Sequence, residues 1–231
     1  MTNATPNDLP HILLIGATGR TGRLILTSAL HRGHKITALI RPSSSLPSVQ
    51  TLSTIQGSPL LAADIFSALS TITGPIVIIS TLGQTRTSGN PFAATTSPPL
   101  FMSASATAVV EAVRTSSANV QKVIVMSMFG TGSSWQNLNF LMQWVMQVSN
   151  MKQTLEDQNA VDGVIRGSGV RFVMPRPAML KEQVGLPVKA LGDSGEGAGF
   201  MPSISAQSVA EFMLDAVVSD EWDGKTPVLM N

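Results

Sequence analysis

The residues best placed to do chemistry form a glycine loop: Gly16, Ala17, Thr18, Gly19, Arg20, Thr21 and Gly22, directly after the apolar run 12–15. Glycines spaced in this way allow a tight turn, let backbone N–H groups approach a pyrophosphate, and permit close packing of helix on strand. A helix opening at such a loop points its partial positive charge at the phosphates. The triplet alone is a weak signal, but here it follows a strand pattern and precedes a helical one, which is the context a dinucleotide site requires.

The second strand pattern settles which dinucleotide to expect. NAD-binding chains place an acidic residue about 20 residues beyond the loop to hold the ribose 2′-hydroxyl. This chain has no Asp or Glu between Asp8 and Asp64; its second strand ends instead at Arg41, Pro42 and Ser43. Arg41, with Arg20 from the loop and the Ser43 hydroxyl, suits a 2′-phosphate, which guanidinium groups bind through charge-assisted hydrogen bonds. The expected cofactor is therefore NADP(H).

Positioning these residues takes an alternating scaffold. Strand patterns fall at 12–15, 35–40, 76–80, 122–126, 171–174 and 227–230, with a weaker one at 52–56, mostly as continuous Ile/Val/Leu runs typical of strands covered on both faces. Helical patterns lie between them at 22–31 (ending at Gly33), 60–69, 100–116, 137–167 with a break, and 205–218. The alternation predicts an α/β, Rossmann-like, doubly wound and mainly parallel sheet in a single domain. Residues 1–10 are expected to be a tail and 11–231 the domain, with a substrate cleft built by loops at about 127–151 and 175–203. The Ser/Pro-rich stretches 42–48 and 85–99 read as surface loops.

The chain has 231 residues, 43% apolar and 13% charged, with net charge +1, no Cys and no Tyr. The length suits one domain with a full core. The absence of Cys excludes disulfides, thiol nucleophiles and Cys-ligated metal centres, and no metal site is expected. Residues 1–150 carry charge +5 and residues 151–231 carry −4. A basic front half can attract a phosphorylated ligand. Nucleic acid is not an expected partner, because the charges are scattered and no basic cluster is interleaved with aromatics. The uncharged window 123–151 is broken by Gly, Ser, Gln and Asn, and the start lacks an apolar stretch before Ile12, so the reading is a soluble, cytoplasmic protein. Its oligomeric state is left open.

The chain resembles the atypical short-chain dehydrogenase/reductases, and within them the NAD(P)H-binding NmrA-like proteins and the biliverdin-IXβ/flavin reductase branch. The likeness rests on Ile12-Leu-Leu-Ile-Gly-Ala-Thr-Gly-Arg-Thr-Gly22, on Thr81, Leu82 and Gly83, on Val125, Met126 and Ser127, and on the stretches 167–177, 204–214 and 221–226. It implies that Gly16, Thr18, Gly19, Arg20, Thr21 and Gly22 surround the pyrophosphate, with Arg41 and Ser43 at the 2′-phosphate. Ser58 would lie beside the adenine, where the family usually has Asp, and Leu82 and Gly83 near the ribose. Ser127, Met128 and Pro175 would line the nicotinamide end.

The chemistry departs from the wider family, whose standard members protonate substrate with a Tyr four residues before a Lys; this chain has no Tyr. Positions where relatives carry a Lys or His hold Asp162, Gly163 and Pro177. His11, His31 and His34 fall near the first two strands, away from the expected mouth. Ser127 is left as the candidate catalytic hydroxyl, with local backbone bonding as its alternative role. Lys152 reads as a solvated helix charge, Asp157 and Asp162 as surface acids, and Arg176 as either an anion contact or half of an ion pair. Trp135, Phe140, Met142, Trp144, Met146 and Met151 form a soft apolar segment suited to a flat hydrophobic ligand or to the core. Three functions stay open: an NADPH-dependent reductase of a hydrophobic, aromatic or polycyclic carbonyl, quinone or flavin-like compound; a non-redox cyclase or isomerase of secondary metabolism; and an NADP(H)-sensing regulatory protein.

Overall fold

A computed structural model describes residues 9–231, so most of the expected tail lies outside the described residues. The chain runs through β1 (His11–Ile15), α1 (Arg20–His31), β2 (Ile36–Ile40), β3 (Leu52–Gln56), α2 (Ala62–Ser70) and β4 (Ile76–Ser80). It continues with α3 (Phe101–Thr115), β5 (Val120–Val125), a 3₁₀ turn at Gly132–Asn137, α4 (Phe140–Val148), α5 (Met151–Arg166) and β6 (Phe172–Val173). Short strands β7 (Arg176–Pro177), β8 (Met179–Lys181), β9 (Lys189–Ala190) and β10 (Ser203–Ser205) lead to α6 (Ala206–Val218) and β11 (Val228–Met230).

Six strands pair in parallel in the order β3-β2-β1-β4-β5-β6. The order reverses at β1, so a crevice opens beyond the carboxyl ends of β1 and β4, where ligands bind in such sheets. Side chains alternate between faces, so the apolar runs feed two cores at once. Ile12, Leu14, Val77 and Ile79 face α1 and α6. Leu13, Ile15, Ile76 and Ile78 face α2, α3 and α5.

The C-terminal strand patterns divide differently from the simple expectation. Pro175 has no N–H to donate, so the main ladder stops after Val173 and the chain steps out of line. Arg176 and Pro177 then pair in parallel with β11, which also takes β9 antiparallel in a separate three-stranded sheet. The long helical pattern breaks at Ser149 and Asn150, separating α4 from α5. At the end of α1, Gly33 (φ +86°) takes the left-handed turn, with Gly33 N–H donating to Leu30 O and His34 N–H to Ala29 O, a Schellman closure.

Candidate cofactor and substrate site

The glycine loop occupies the carboxyl end of β1. Gly16 adopts φ +91°, which favours glycine, and an added Cβ there would lie 2.7 Å from Thr81 Oγ1. Gly22 is stricter: its Cβ would stand 2.0 Å from Gly16 O. Only two bare backbones can approach this closely. Gly19 N–H closes the loop onto Gly16 O at 3.0 Å. Gly19 then caps α1 without any side-chain hydrogen bond, and no acidic residue sits in the first turn. The helix therefore offers uncapped N–H groups and an uncompensated positive end beside Thr18, Arg20 and Thr21. These features fit a pyrophosphate.

Thr81, absent from the expected contacts, locks this loop. Its hydroxyl lies 3.3 Å from both Ile15 O and Gly16 O, while its own N–H donates to Ile15 O. The next residues, Leu82 (half-buried) and Gly83 (exposed), follow at the same edge. Arg41 and Ser43 are exposed just past β2, in a turn closed by Ser44 N–H on Arg41 O. Arg41 has no carboxylate partner among the described residues, whereas Arg20 reaches Glu182 at 4.0 Å. Ser58 follows β3, and its surroundings give Asp64 a role that sequence did not suggest. Asp64 Oδ2 accepts from Ser58 N–H at 2.8 Å, and the Ser58 hydroxyl accepts from Leu60 N–H.

Beyond β5 the structure brings Ser127, Met128 and Pro175 together: Ser127 N–H donates to Pro175 O at 2.8 Å. Ser127 is buried, and its hydroxyl makes no hydrogen bond among the described residues, so the local-backbone alternative does not describe it. Phe129, Leu138, Met146, Ala198 and Val228 form a small third core, with Met128, Trp135, Met142 and Met151 against it. Phe140 and Trp144 point outward instead, 78% and 58% exposed. The soft segment thus splits between core and surface.

Two charged residues, Asp157 and Asp162, differ from the sequence reading, and a third, Arg176, takes the ion-pair role, one of the two left open for it. Asp157 is fully buried, not a surface acid; its oxygens accept from Met102 N–H at 2.9 Å and Ser103 N–H at 2.8 Å. It caps α3, whose preceding residue Leu100 sits at φ +53° and supplies no cap. Asp162 pairs with Arg176 Nη2 at 2.8 Å and with Arg166 Nε at 2.8 Å. Arg176 is 1% exposed and also donates to Ser133 Oγ and Asp193 O. Burial lowers its pKa, against the pull of Asp162. It is therefore an internal strut between α5 and the loops after β5 and β9, and not a substrate contact. Lys152 is solvated as expected, 3.8 Å from Glu156.

The charge asymmetry also resolves into structure. Arg32, the residue that ends α1, binds Glu211 and, at 2.7 Å, Asp215 on α6. Lys122 is buried against Asp223 at 2.7 Å and Asp220 at 3.2 Å. Front-half cations thus neutralise back-half acids across the fold, leaving fewer for a ligand. His11 sits at the amino end of β1 and His34 just before β2, far along the strands from the carboxyl edge. A groove of about 690 Å³ along α6, lined by Leu186, Val188, Phe212 and Trp222, contains none of the expected cofactor residues. Two of its three acids, Glu211 and Asp215, already face Arg32, and the third is Glu221. A cavity of about 10 Å³ under Leu82 and Met126 has room for one water at most. The described residues contain no group of three metal-ligating side chains and no helix long and apolar enough to cross a membrane.

Fold and loop together define a Rossmann-type dinucleotide-binding protein. The NAD(P)H-binding family model matches residues 16–220, and the chain belongs to that family. Among solved structures it is similar to a short-chain dehydrogenase/reductase from Veillonella parvula in complex with NADP (TM-score 0.74, 16% identity, 96% of this chain and 95% of that one). It is also similar to ChuY, an anaerobilin reductase from Escherichia coli O157:H7 (TM-score 0.71, 17% identity, 95% and 96%). The oxidoreductase ylbE from Lactococcus lactis is a further likeness (TM-score 0.72, 17% identity, 96% and 90%). At these identities the likeness shows the shared fold.

Proposed function

We propose that this protein is an NADPH-dependent reductase of a hydrophobic, aromatic or polycyclic small molecule with a carbonyl, quinone or flavin-like acceptor group. The observation that carries the cofactor choice is Arg41: an exposed guanidinium past the end of β2, with Ser43 beside it, in a stretch with no acidic residue from Asp8 to Asp64. An acid there would repel a 2′-phosphate, and an arginine attracts it. Gly16, Gly19 and Gly22 with the start of α1 would hold the pyrophosphate, Ser58 would lie at the adenine, and Leu82 and Gly83 at the ribose.

The cofactor, when bound, supplies a hydride. The protein's part is to bind, orient and exclude water. Met128 and Pro175 would shape the nicotinamide end, and Ser127, a buried residue whose hydroxyl has no partner among the described residues, would donate there to an oxygen on the substrate or to the carboxamide. With no Tyr in the chain, the proton that completes reduction would come from solvent or from the substrate's own polar group, with Ser127 as a hydrogen-bond donor only. The half-buried Trp135, Met142 and Met151 support an apolar ligand, because Met and aromatic walls adapt to flat surfaces.

Titration with NADPH and NADH, read by cofactor fluorescence and thermal shift, tests this reading; a ligand of the folded state raises apparent stability. NADPH is expected to bind at least tenfold tighter than NADH. Arg41→Ala is expected to weaken NADPH by about 10- to 100-fold, the worth of a charged hydrogen bond, and to leave NADH unchanged. Equal losses for both would overturn the 2′-phosphate assignment. Failure of both to bind would bring the cyclase or isomerase reading forward.

A further inference from the structure

The stretch 83–99 is more than the surface loop its composition suggests. Thr87 N–H donates to Ala94 O at 3.0 Å and Thr96 N–H to Thr85 O at 2.8 Å, with Arg86 bridging Thr95, so a short hairpin folds after β4 at the carboxyl edge. The hairpin is fastened to the start of α5. Asn150 Nδ2 donates to Phe92 O and Ala93 O at 2.9 and 3.0 Å. Arg86 Nη2 donates to Thr154 Oγ1 at 2.8 Å, and the Thr154 hydroxyl donates onward to Gln84 Oε1 at 2.6 Å.

This corner has more hydrogen-bonding capacity than it uses. Gln84 Nε2, Arg86 Nε and Thr95 Oγ1 are sealed from solvent without a partner, and so is Gln158 Oε1, one turn along α5 from Thr154. Only Ser105 Oγ, Thr131 Oγ1 and Arg176 Nε share that condition among the described residues. Arg86 is half-buried as a residue, and its guanidinium has no carboxylate within ion-pair reach among the described residues. Arg32, Lys122, Arg166, Arg171 and Arg176 all have one. A half-buried cation without a counter-charge destabilises a fold unless an anion joins it. A planar guanidinium on a rigid hairpin is matched to a carboxylate, which it binds through two parallel donors.

We propose that Arg86 is a specificity residue that binds an acidic group of the substrate, so that the hydrophobic acceptor reduced here is a carboxylic acid. This rests on the reductase reading and adds the substrate's charge to it. Gln84 and Thr154 hold the guanidinium in place at the edge that also carries Ser127. The fork, not only the charge, sets the selectivity.

The test compares two flat probes, anthraquinone-2-carboxylate and its neutral methyl ester, binding to the full chain with NADP⁺ present. Affinities are read by tryptophan quenching for wild type, Arg86→Gln and Arg86→Lys, with thermal melts to confirm folding. Wild type is expected to prefer the carboxylate at least tenfold. Arg86→Gln is expected to abolish the preference while leaving the ester's affinity intact, and Arg86→Lys to keep part of it. NADPH affinity is expected to be the same in all three. Equal binding of the two probes by wild type overturns the proposal and needs no variant. A loss of NADPH affinity in Arg86→Gln, with the probe preference kept, overturns it in favour of a cofactor phosphate as the anion. NADPH failing to bind wild type is a separate failure, of the reductase reading, and shows before any probe is added.

Discussion

The two sides of the carboxyl edge are built on opposite principles. Around β1 and β2 the working parts are bare backbone and unpaired charge: Gly16 and Gly22 in mutual contact, an uncapped α1, and an exposed Arg41. Beyond β5 the buried charged groups are satisfied within the fold, with Asp157 capping α3 and Asp162 holding Arg176. The first side keeps its hydrogen-bonding capacity for a ligand. The second uses its own to hold irregular loops in place, because the ladder ends at Pro175 and the following segments have little strand pairing to fix them. Arg86, on the hairpin after β4 and between these two sides, is half-buried yet has no carboxylate partner among the described residues, which is why it stands out.

The sharpest way to test that contrast is to break the buried pair. Asp162→Asn leaves the Arg176 guanidinium buried without its counter-charge, and losing one partner of such a pair costs about 3–5 kcal/mol. At this chain length that corresponds to a fall in Tm of roughly 10 °C. Replacing both members by apolar residues, Asp162→Leu with Arg176→Met, is expected to recover more than half of the loss. NADPH affinity of the folded fraction is expected to hold throughout. If it falls with Asp162→Asn, the two sides are coupled and the contrast is wrong.

A gentler pair of glycine substitutions probes the other side. Gly22→Ala forces a Cβ to within 2.0 Å of Gly16 O, so the loop must shift, at a cost of about 1–3 kcal/mol. NADPH affinity is expected to fall at least tenfold with it. Gly163, inside α5, has nothing within 4 Å of an added Cβ. Gly163→Ala is expected to stabilise by about 0.5–1 kcal/mol and leave NADPH binding alone. Thermal melts and titrations of both variants check the pair.

What the sequence disclosed follows the same division. The glycine loop, the doubly wound parallel sheet of an alternating chain and the NAD(P)H-binding family are legible because neighbouring residues determine them: a turn, a close approach, a periodicity. Asp157 and Asp162 look like ordinary helix-surface acids because their partners lie elsewhere in the chain. Asp157 meets Met102 and Ser103 more than fifty positions away. Arg176 was open between two roles until the loops at Ser133 and Asp193 closed on it. Residues 85–99 have the composition of a loop, and only the cross-links from Asn150 and Thr154 make them a hairpin. Thr81 sat inside a quoted motif, yet its grip on Gly16 depends on two parallel strands meeting.

The smallest expected effect concerns pH and comes from the amino end of the strands, away from both sides of the edge. His34 is buried, and its Nδ1 lies 3.1 Å from Pro10 O. A carbonyl only accepts, so Nδ1 carries a hydrogen in this bond. Burial lowers the His34 pKa, with nearby Arg32 acting the same way and the Pro10 bond opposing. Burial also lowers His11, with Lys35 adding to it. The folded state therefore releases these protons more readily than the unfolded chain, whose histidines titrate near about 6.5. Stability is complete above that pH and falls as pH drops through it toward the lower folded values. Glu211, held below the usual carboxylate range by Ser28 and Arg32 despite its burial, contributes only at more acidic pH. Between pH 7.5 and about 5, the loss is expected to be on the order of a few degrees in Tm. His34→Gln with His11→Gln is expected to flatten that slope while leaving NADPH affinity at pH 7.5 unchanged. An unaltered slope would mean that other groups take up the protons, and would remove the two histidines from the account.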